Sequence, residues 1–294
     1  MQLIVPEAMD GLTVLQALTQ CALDVPLWAV RQAIRERQVR LDGERVSGDV
    51  RVSAGQELRA YFPKAALSAA QRAPKPVDVV YEDAHVLLLS KPQGLPAQNE
   101  NDPASGDTAL TRAIAHVAAA GGRTDRVRLC HRLDVQTGGL LLLTKDDEAY
   151  EAAVQAFTQR TMRKFYLCRV KGCPAKAGET LRAWLRKDAA IARVSVTDYP
   201  AHGAQEIVTA YRVIEPGEQA RLEVELVTGR THQIRAHLAH IGHPVLGDDK
   251  YGDRALNRRL GLRKQQLWAW RLEFQAEGAL SYLNGRTFEA PCPF

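Results

Sequence analysis

The 294-residue chain is short of the features that mark several common protein classes. Its five cysteines, at 21, 130, 168, 173 and 292, form no Cys-x-x-Cys pair. An odd, scattered set suits free thiols in a reducing compartment, hence the cytoplasm, better than a disulfide framework. Cys168 and Cys173 are the nearest two, and no neighbouring ligands complete a zinc site with them. No apolar run approaches the roughly 20 residues of a membrane helix. The start, Met1-Gln2-Leu3-Ile4-Val5-Pro6-Glu7, lacks a basic segment followed by an apolar core, so neither membrane insertion nor secretion is expected. There is no internal repeat, no Walker-type loop and no Gly-x-Gly-x-x-Gly, so a nucleotide cofactor has no support. A net charge of +5 is compatible with a polyanionic partner but is modest for this length.

What remains is a chain with 46% hydrophobic and 25% charged residues, enough for two modest domains around real cores. Residues 1–62 read as a small module. Leu12, Leu15, Leu18 and Ala22 fall at helical spacing. Asp24 as N-cap and Pro26 in the first turn predict a second helix to about Arg37, with Leu27, Val30 and Ile34 on one side and Arg31 and Arg35 on another. Gln38 to Val46 alternates like a strand around Asp42-Gly43, which predicts a hairpin with a type I′ turn. Val52, Gly55, Leu58 and Tyr61 suggest a closing strand. Residues 63–76, rich in Pro, Ala and basic side chains, read as a linker. Asn99 to Asp107 reads as a loop.

From Val77 to Phe294 strand-like and helix-like segments alternate irregularly. Val79–Tyr81, Val86–Leu89, Leu140–Leu143, Phe165–Val170, Glu206–Val213 and Arg221–Val227 read as strands. Residues 148–163 read as a helix with Tyr150, Val154, Phe157 and Thr161 along one face. The mixture predicts an α+β domain on a mixed, mostly antiparallel sheet flanked by helices and loops.

Three segments carry candidate chemistry. In Cys130-His131-Arg132-Leu133-Asp134-Val135-Gln136-Thr137-Gly138-Gly139-Leu140, ionisable residues crowd ahead of a continuous apolar strand. A loop carboxylate flanked by His and Arg suits a nucleophile or base, and the glycine pair permits close backbone approach. An Arg132–Asp134 surface pair beside a turn explains the same pattern. In Gly229 to Pro244, Thr231 is expected to cap a helix with Ile234, Leu238 and Ile241 on one face, stopped by Gly242. Arg235, one turn in, is placed to clamp a phosphate or an aspartate. His237 and His240, with Asp248 or Asp249, are a metal arrangement to weigh, and they match no well-specified ligand spacing. The third segment is the basic–aromatic run Arg160-Thr161-Met162-Arg163-Lys164-Phe165-Tyr166.

Together these segments resemble the RluA-type RNA pseudouridine synthases. His131 to Leu141 is similar to the family's H-R-L-D-x-x-T-S-G-L-L signature. Gly229 to Leu238, Gly242-His243-Pro244 and Gly247 to Gly252 resemble its second signature. Tyr81-Glu82-Asp83 with Lys91-Pro92-Gln93-Gly94-Leu95 is similar to its opening strand and turn, and Lys164-Phe165-Tyr166 to its K-x-Y. Two positions depart: Gly138 where serine is frequent, and Trp268 where the late L-H-A motif usually has histidine. The first 62 residues resemble the S4 RNA-binding module that often precedes this domain.

The resemblance implies the pseudouridine synthase fold and isomerisation of uridine in structured RNA, ribosomal or transfer. Asp134 is then the essential carboxylate, whether it attacks C1′, assists proton loss at C2′ or adds to C6. Arg235 pairs with it, and Tyr166 stacks on a base flipped out of the RNA. Arg132 fills the vacated place, with His131, Arg230 and Thr231 beside the RNA, and Arg31, Arg35 and Arg40 add backbone affinity. Substrate and product are isomers, so no cofactor or metal is expected; a monomer is the default. The rival readings are an RNA-binding or ribosome-assembly factor without catalysis and, further off, a metal-dependent hydrolase.

Overall fold

Asp42 and Gly43 both adopt positive φ, 50° and 85°, so the hairpin of the first unit turns as its Asp-Gly pair dictates. The computed structural model describes residues 1–21, 25, 27–46, 48, 50–62, 75–99, 106–188 and 193–294. The expected cap Asp24, Pro26, Ala22, most of the expected linker and most of the loop from Asn99 lie outside the described residues. Two compact units emerge, Met1–Pro76 with Gln98–Arg112, and Val77–Ala97 with Ala113–Phe294.

The first unit holds β1 (Gln2–Ile4), α1 (Val14–Cys21), α2 (Leu27–Arg35), β2 (Val39–Leu41), β3 (Glu44–Arg45) and β4 (Glu57–Ala60). Its strands form one sheet in the order β1-β4-β2-β3. Its core joins Val14, Ala17 and Leu18 of α1 to Val30, Ala33 and Ile34 of α2 and to Val39 and Leu58 of the sheet. The inward face of α1 is thus rotated from the expected one: Leu12 and Leu15 lie at the border of the core. The second helix stops at Arg35, two residues early, because Arg37 turns left-handed at φ 56°. Arg31, Arg35 and Arg40 are exposed.

The second unit begins with β5 (Val79–Glu82) and β6 (Val86–Lys91). The chain then passes through α3 (Ala109–Ala119), β7 (Arg128–Leu129), β8 (Gly138–Thr144), α4 (Asp147–Gln159) and β9 (Arg163–Arg169). It continues with β10 (Gly178–Asp188), β11 (Arg193–Thr197), β12 (Gln205–Glu215), β13 (Arg221–Leu226), α5 (Gln233–His240), α6 (Arg254–Arg259), β14 (Leu267–Glu273) and β15 (Thr287–Glu289). The sheet runs β11-β10-β12-β13-β9-β14-β8-β6-β5, with β15 beside β14 and β7 beside β8. Among the described residues every named pair is antiparallel except β14 with β8. No helix among them is long and apolar enough to cross a membrane.

All seven residues of β8 are buried, as expected of a strand covered on both faces. Against it lies α4, started by the Asp146 carboxylate accepting from the Ala149 N–H and ended by Arg160 at φ 62°. Its buried face is Ala149, Ala152, Ala153 and Ala156, not the predicted line of larger residues, and Val154 is 37% exposed. Alanines let the helix axis approach a sheet whose own leucines fill the core.

Candidate active site

Asp134 sits on the loop between β7 and β8, and that loop is held from several sides. Leu133 is buried just before it, and the Thr137 N–H closes a turn onto the Asp134 carbonyl at 3.0 Å. The Val135 carbonyl accepts from the Gly94 N–H at 2.8 Å and from Lys91 Nζ at 3.3 Å. Gln93 Nε2 donates to the Gln136 carbonyl at 2.9 Å, and Gln265 Nε2 to Thr137 Oγ1 at 3.1 Å. The turn Lys91-Pro92-Gln93-Gly94-Leu95 is therefore a cradle for the Asp134 loop. Lys91 also donates to the carbonyls of Leu95 at 2.8 Å and Pro92 at 3.1 Å. Burial pushes its ammonium down to about 8, against the raising effect of the Asp134 charge.

The glycine pair that opens β8 is required by the neighbouring strand. A Cβ on Gly138 would meet Trp268 Cζ3 at 2.2 Å; on Gly139, at φ 105°, it would meet the Ala269 carbonyl oxygen at 2.0 Å. Both contacts belong to the parallel β14–β8 pairing.

Arg235 comes from α5, whose entry differs from the expected cap. The N-cap residue is His232, left-handed at φ 54° with no side-chain cap, and Thr231 is exposed outside the helix. The buried Gln233 does the tying instead. Its Oε1 accepts from Thr228 Oγ1 at 2.8 Å and from the Arg230 N–H at 3.0 Å, and its Nε2 donates to the Val208 carbonyl and Thr209 Oγ1, both at 3.0 Å.

The guanidinium of Arg235, with its side chain only 5% exposed, is shared among three carboxylates, the outermost being the exposed Asp249, 3.4 Å from Nη2. Nε donates to Asp248 Oδ2 at 2.6 Å and Nη2 to Asp248 Oδ1 at 3.0 Å, a two-pronged grip. Nη1 is left for Asp134 Oδ2, at 2.9 Å. Asp248 is wholly buried and also accepts the N–H groups of Lys250 and Tyr251 at 2.8 and 2.9 Å. Burial alone would raise its carboxyl, but the bonds and charge of Arg235 win, and it is held below the usual range.

Asp134 is 24% exposed, and its second oxygen, Oδ1, accepts no hydrogen bond from any described residue. His232 Nε2 stands 4.0 Å from Oδ2, and His232 Nδ1 lies 3.0 Å from the Tyr251 hydroxyl. That hydroxyl also accepts from the Val194 N–H at 2.9 Å. Tyr166, on β9, is buried; burial first, then the Asp134 charge, push its phenol well above the ordinary tyrosine value. It therefore meets a substrate as a neutral phenol.

Of the residues predicted from sequence, Asp134, Arg235 and Tyr166 are brought together, with Arg132 exposed on the Asp134 loop and Arg230 and Thr231 exposed ahead of α5. His131 departs from its expected role. Its Nε2 accepts the Leu142 N–H of β8 at 3.1 Å, its ring meets Phe157 edge-on, and burial with the nearby Lys164 charge pushes it down to about 3. It is a neutral fastener of the loop rather than a hand held out to RNA. The remaining histidines of the second segment are dispersed. His237 bonds Thr209 Oγ1 at 3.0 Å, His240 bonds Asp198 at 2.7 Å, and His243 bonds the Lys171 carbonyl at 3.0 Å. Among the described residues no three His, Cys, Asp or Glu side chains gather in a metal-ready group. Sequence reasoning missed Lys91, His232 and Tyr251, and weighed Asp248 only as a metal ligand. The Gly247-to-Gly252 block was the signal that pointed to Asp248 and Tyr251.

Comparison with known proteins agrees with this geometry. A profile described as RNA pseudouridylate synthase matches residues 85–240. Ribosomal large subunit pseudouridine synthase D of Nitrosomonas europaea is 31% identical over 290 residues, covering 92% of this chain and 79% of its own. Ribosomal large subunit pseudouridine synthase C of Vibrio parahaemolyticus is 29% identical over 288 residues, covering 92% and 87%. The solved structure of human RNA Pseudouridylate Synthase Domain Containing 4 shares the fold, with a TM-score of 0.60 at 23% identity over 74% of this chain and 88% of its own.

Proposed function

The chain belongs to the RNA pseudouridylate synthase family, and from that premise we propose that Asp134 is the carboxylate that carries the isomerisation of uridine to pseudouridine. The observation that supports this most is the division of Arg235. Two of its nitrogens are spent on buried Asp248, so the third is aimed at Asp134 Oδ2, and no described residue donates to Oδ1. A carboxylate with one oxygen anchored and one offered is oriented before the substrate arrives, which lowers the cost of reaching the transition state.

The reaction cuts the bond between N1 and C1′, turns the base and joins C5 to C1′. Its product is an isomer, so the residues need only hold the base, stabilise charge and let the proton that leaves C5 be balanced by one that N1 takes up. The target nucleotide is flipped from the RNA into the space before Asp134, where the neutral phenol of Tyr166 lies against the base. Arg132 stands on the rim of that space and supports the gap left behind. The substrate class we assign is ribosomal RNA of the large subunit, in keeping with the names of the relatives.

Residues 1–62 are assigned as an S4-like RNA-binding module, residues 63–76 as linker and residues 77–294 as catalytic domain. Arg40 stands directly across from Arg45 on β3, and on its other side from Arg59 on β4, whose guanidinium is already paired with Glu57 at 2.8 Å. Like charges in adjacent strands repel unless an anion joins them, which suits a phosphate backbone. The reaction is assigned to the cytoplasm, which suits five free thiols. The test is tritium release from large-subunit RNA transcribed with 5-tritiated uridine. Asp134→Asn is expected to bind the RNA and release none; turnover by the folded variant defeats the assignment.

A further inference from the structure

Arg163 and Lys164 are neighbours on β9 with opposite fates. Arg163 is neutralised twice, by Glu225 and by Glu273, each at 2.9 Å. Lys164 has no carboxylate partner among the described residues. Its ammonium stands 4.8 Å from the centre of the Phe157 ring, and the position a Cβ would take on Gly229 is 3.5 Å from Nζ. Its charge is felt by His131. Alternation along the strand puts it on the same face of the sheet as Tyr166, two residues on.

Lys164 thus lies close to both chain segments that frame Asp134: its charge reaches the one that begins at His131, and its ammonium stands beside the one that begins at Gly229. Burial pushes its ammonium down to about 8, so the folded chain keeps a half-buried cation at a cost that no carboxylate among the described residues offsets. A cation so placed is satisfied by an anion that arrives from outside. The one anion an RNA substrate brings in every case is its phosphodiester. We propose that Lys164 binds a backbone phosphate of the substrate RNA next to the flipped nucleotide. The inference rests on the reading of Asp134 as the catalytic group.

The experiment compares wild type, Lys164→Met and Lys164→Arg for binding to large-subunit transcript over a range of salt concentrations. The loss of one phosphate contact is expected to make the slope of log affinity against log salt shallower by about 0.7 to 0.9 in Lys164→Met and to leave it intact in Lys164→Arg. KM is expected to rise about tenfold in Lys164→Met with kcat nearly unchanged, as for a contact made equally before and during reaction. A structural lysine predicts the reverse order, with Met tolerated and Arg harmful. An unchanged slope in Lys164→Met, or no restoration by Arg, overturns the proposal. For a check on unaltered protein, mild acetylation of Lys164 is mapped with and without transcript; equal rates overturn it too. Turnover by Asp134→Asn defeats the catalytic reading, whereas an unchanged slope in Lys164→Met defeats only this one.

Discussion

Gly138 and Trp268 face each other across the parallel pairing of β8 with β14, and the indole lies where a side chain on residue 138 would go. Trp268 is fixed there by donation from its Nε1 to the Ala290 carbonyl at 3.2 Å. These are the two positions at which the sequence departs from the pattern it otherwise resembles, serine being frequent at one and histidine usual at the other. One space explains both departures: the large ring requires the missing side chain.

The pair therefore behaves as a unit. Gly138→Ser alone overpacks the contact and is expected to cost about 1–3 kcal/mol. Trp268→His alone leaves a partly empty space at a cost on the order of 2 kcal/mol. The double variant is expected to recover at least about 1 kcal/mol of the summed loss, read from urea unfolding of all four proteins. Strict additivity would show that the two departures are unrelated.

His131 carries a pH dependence whose sign follows from its bond. Its Nε2 accepts the Leu142 N–H, which only the neutral ring can do, and burial with the Lys164 charge holds it at about 3, below the unfolded value of about 6.5. The unfolded chain takes up the proton first, so stability from this group is complete above pH 6.5 and is lost as pH falls toward 3. In His131→Gln the wild-type advantage at pH 7 is expected to shrink by a few kcal/mol on going to pH 4. Parallel pH profiles for the two proteins would remove His131 as the cause.

Much of this was legible beforehand, and the failures share a cause. The Asp-Gly hairpin, the apolar run of β8 and the Asp134–Arg235 pairing each rest on a local pattern or a whole motif. The buried face of α4 was misjudged because larger side chains attract a hydrophobic reading, whereas the fit against β8 selected alanines. The strands β10, β11 and β14 were not anticipated; β10 and β11 alternate with many polar residues, and their pairing is decided by distant partners. Thr231 was expected as a cap from its type, but Gln233 took the bonds because it faces β12. His131 and Asp248 were visible as residues and not as roles, since neither the Leu142 N–H nor the Arg235 fork can be read from spacing.

Arg235 gives a prediction that separates charge from shape. Arg235→Lys keeps the positive charge but cannot grip Asp248 with two nitrogens while reaching Asp134 with a third. Its kcat is expected to fall on the order of 100-fold, with RNA binding little changed. Asp248→Asn is expected to show a similar loss of kcat and to lower stability by about 3 kcal/mol, because a buried guanidinium loses one of its carboxylates. Near-normal turnover by Arg235→Lys would mean that Asp134 needs only a nearby charge.

Tyr166 tests whether the phenol does more than stack. Burial and the Asp134 charge keep it protonated, so the free enzyme does not offer a phenolate as base for the C5 proton. The hydroxyl is then a donor, or a relay that acts once Asp134 has changed its charge or bonding in the reaction. Tyr166→Phe preserves the ring, so RNA affinity is expected to stay within about twofold, while kcat falls roughly 100-fold or more if the hydroxyl handles the proton. Tyr166→Leu removes the stacking face as well and is expected to weaken RNA binding about tenfold. Wild-type turnover is expected to show no loss of activity assignable to tyrosine ionisation up to about pH 10, the ordinary phenol value. Measured by tritium release and by binding to the same transcript, full activity in Tyr166→Phe would reduce the residue to a stacking platform and move the proton to another acceptor, with His232, 4.0 Å from Asp134, next in line.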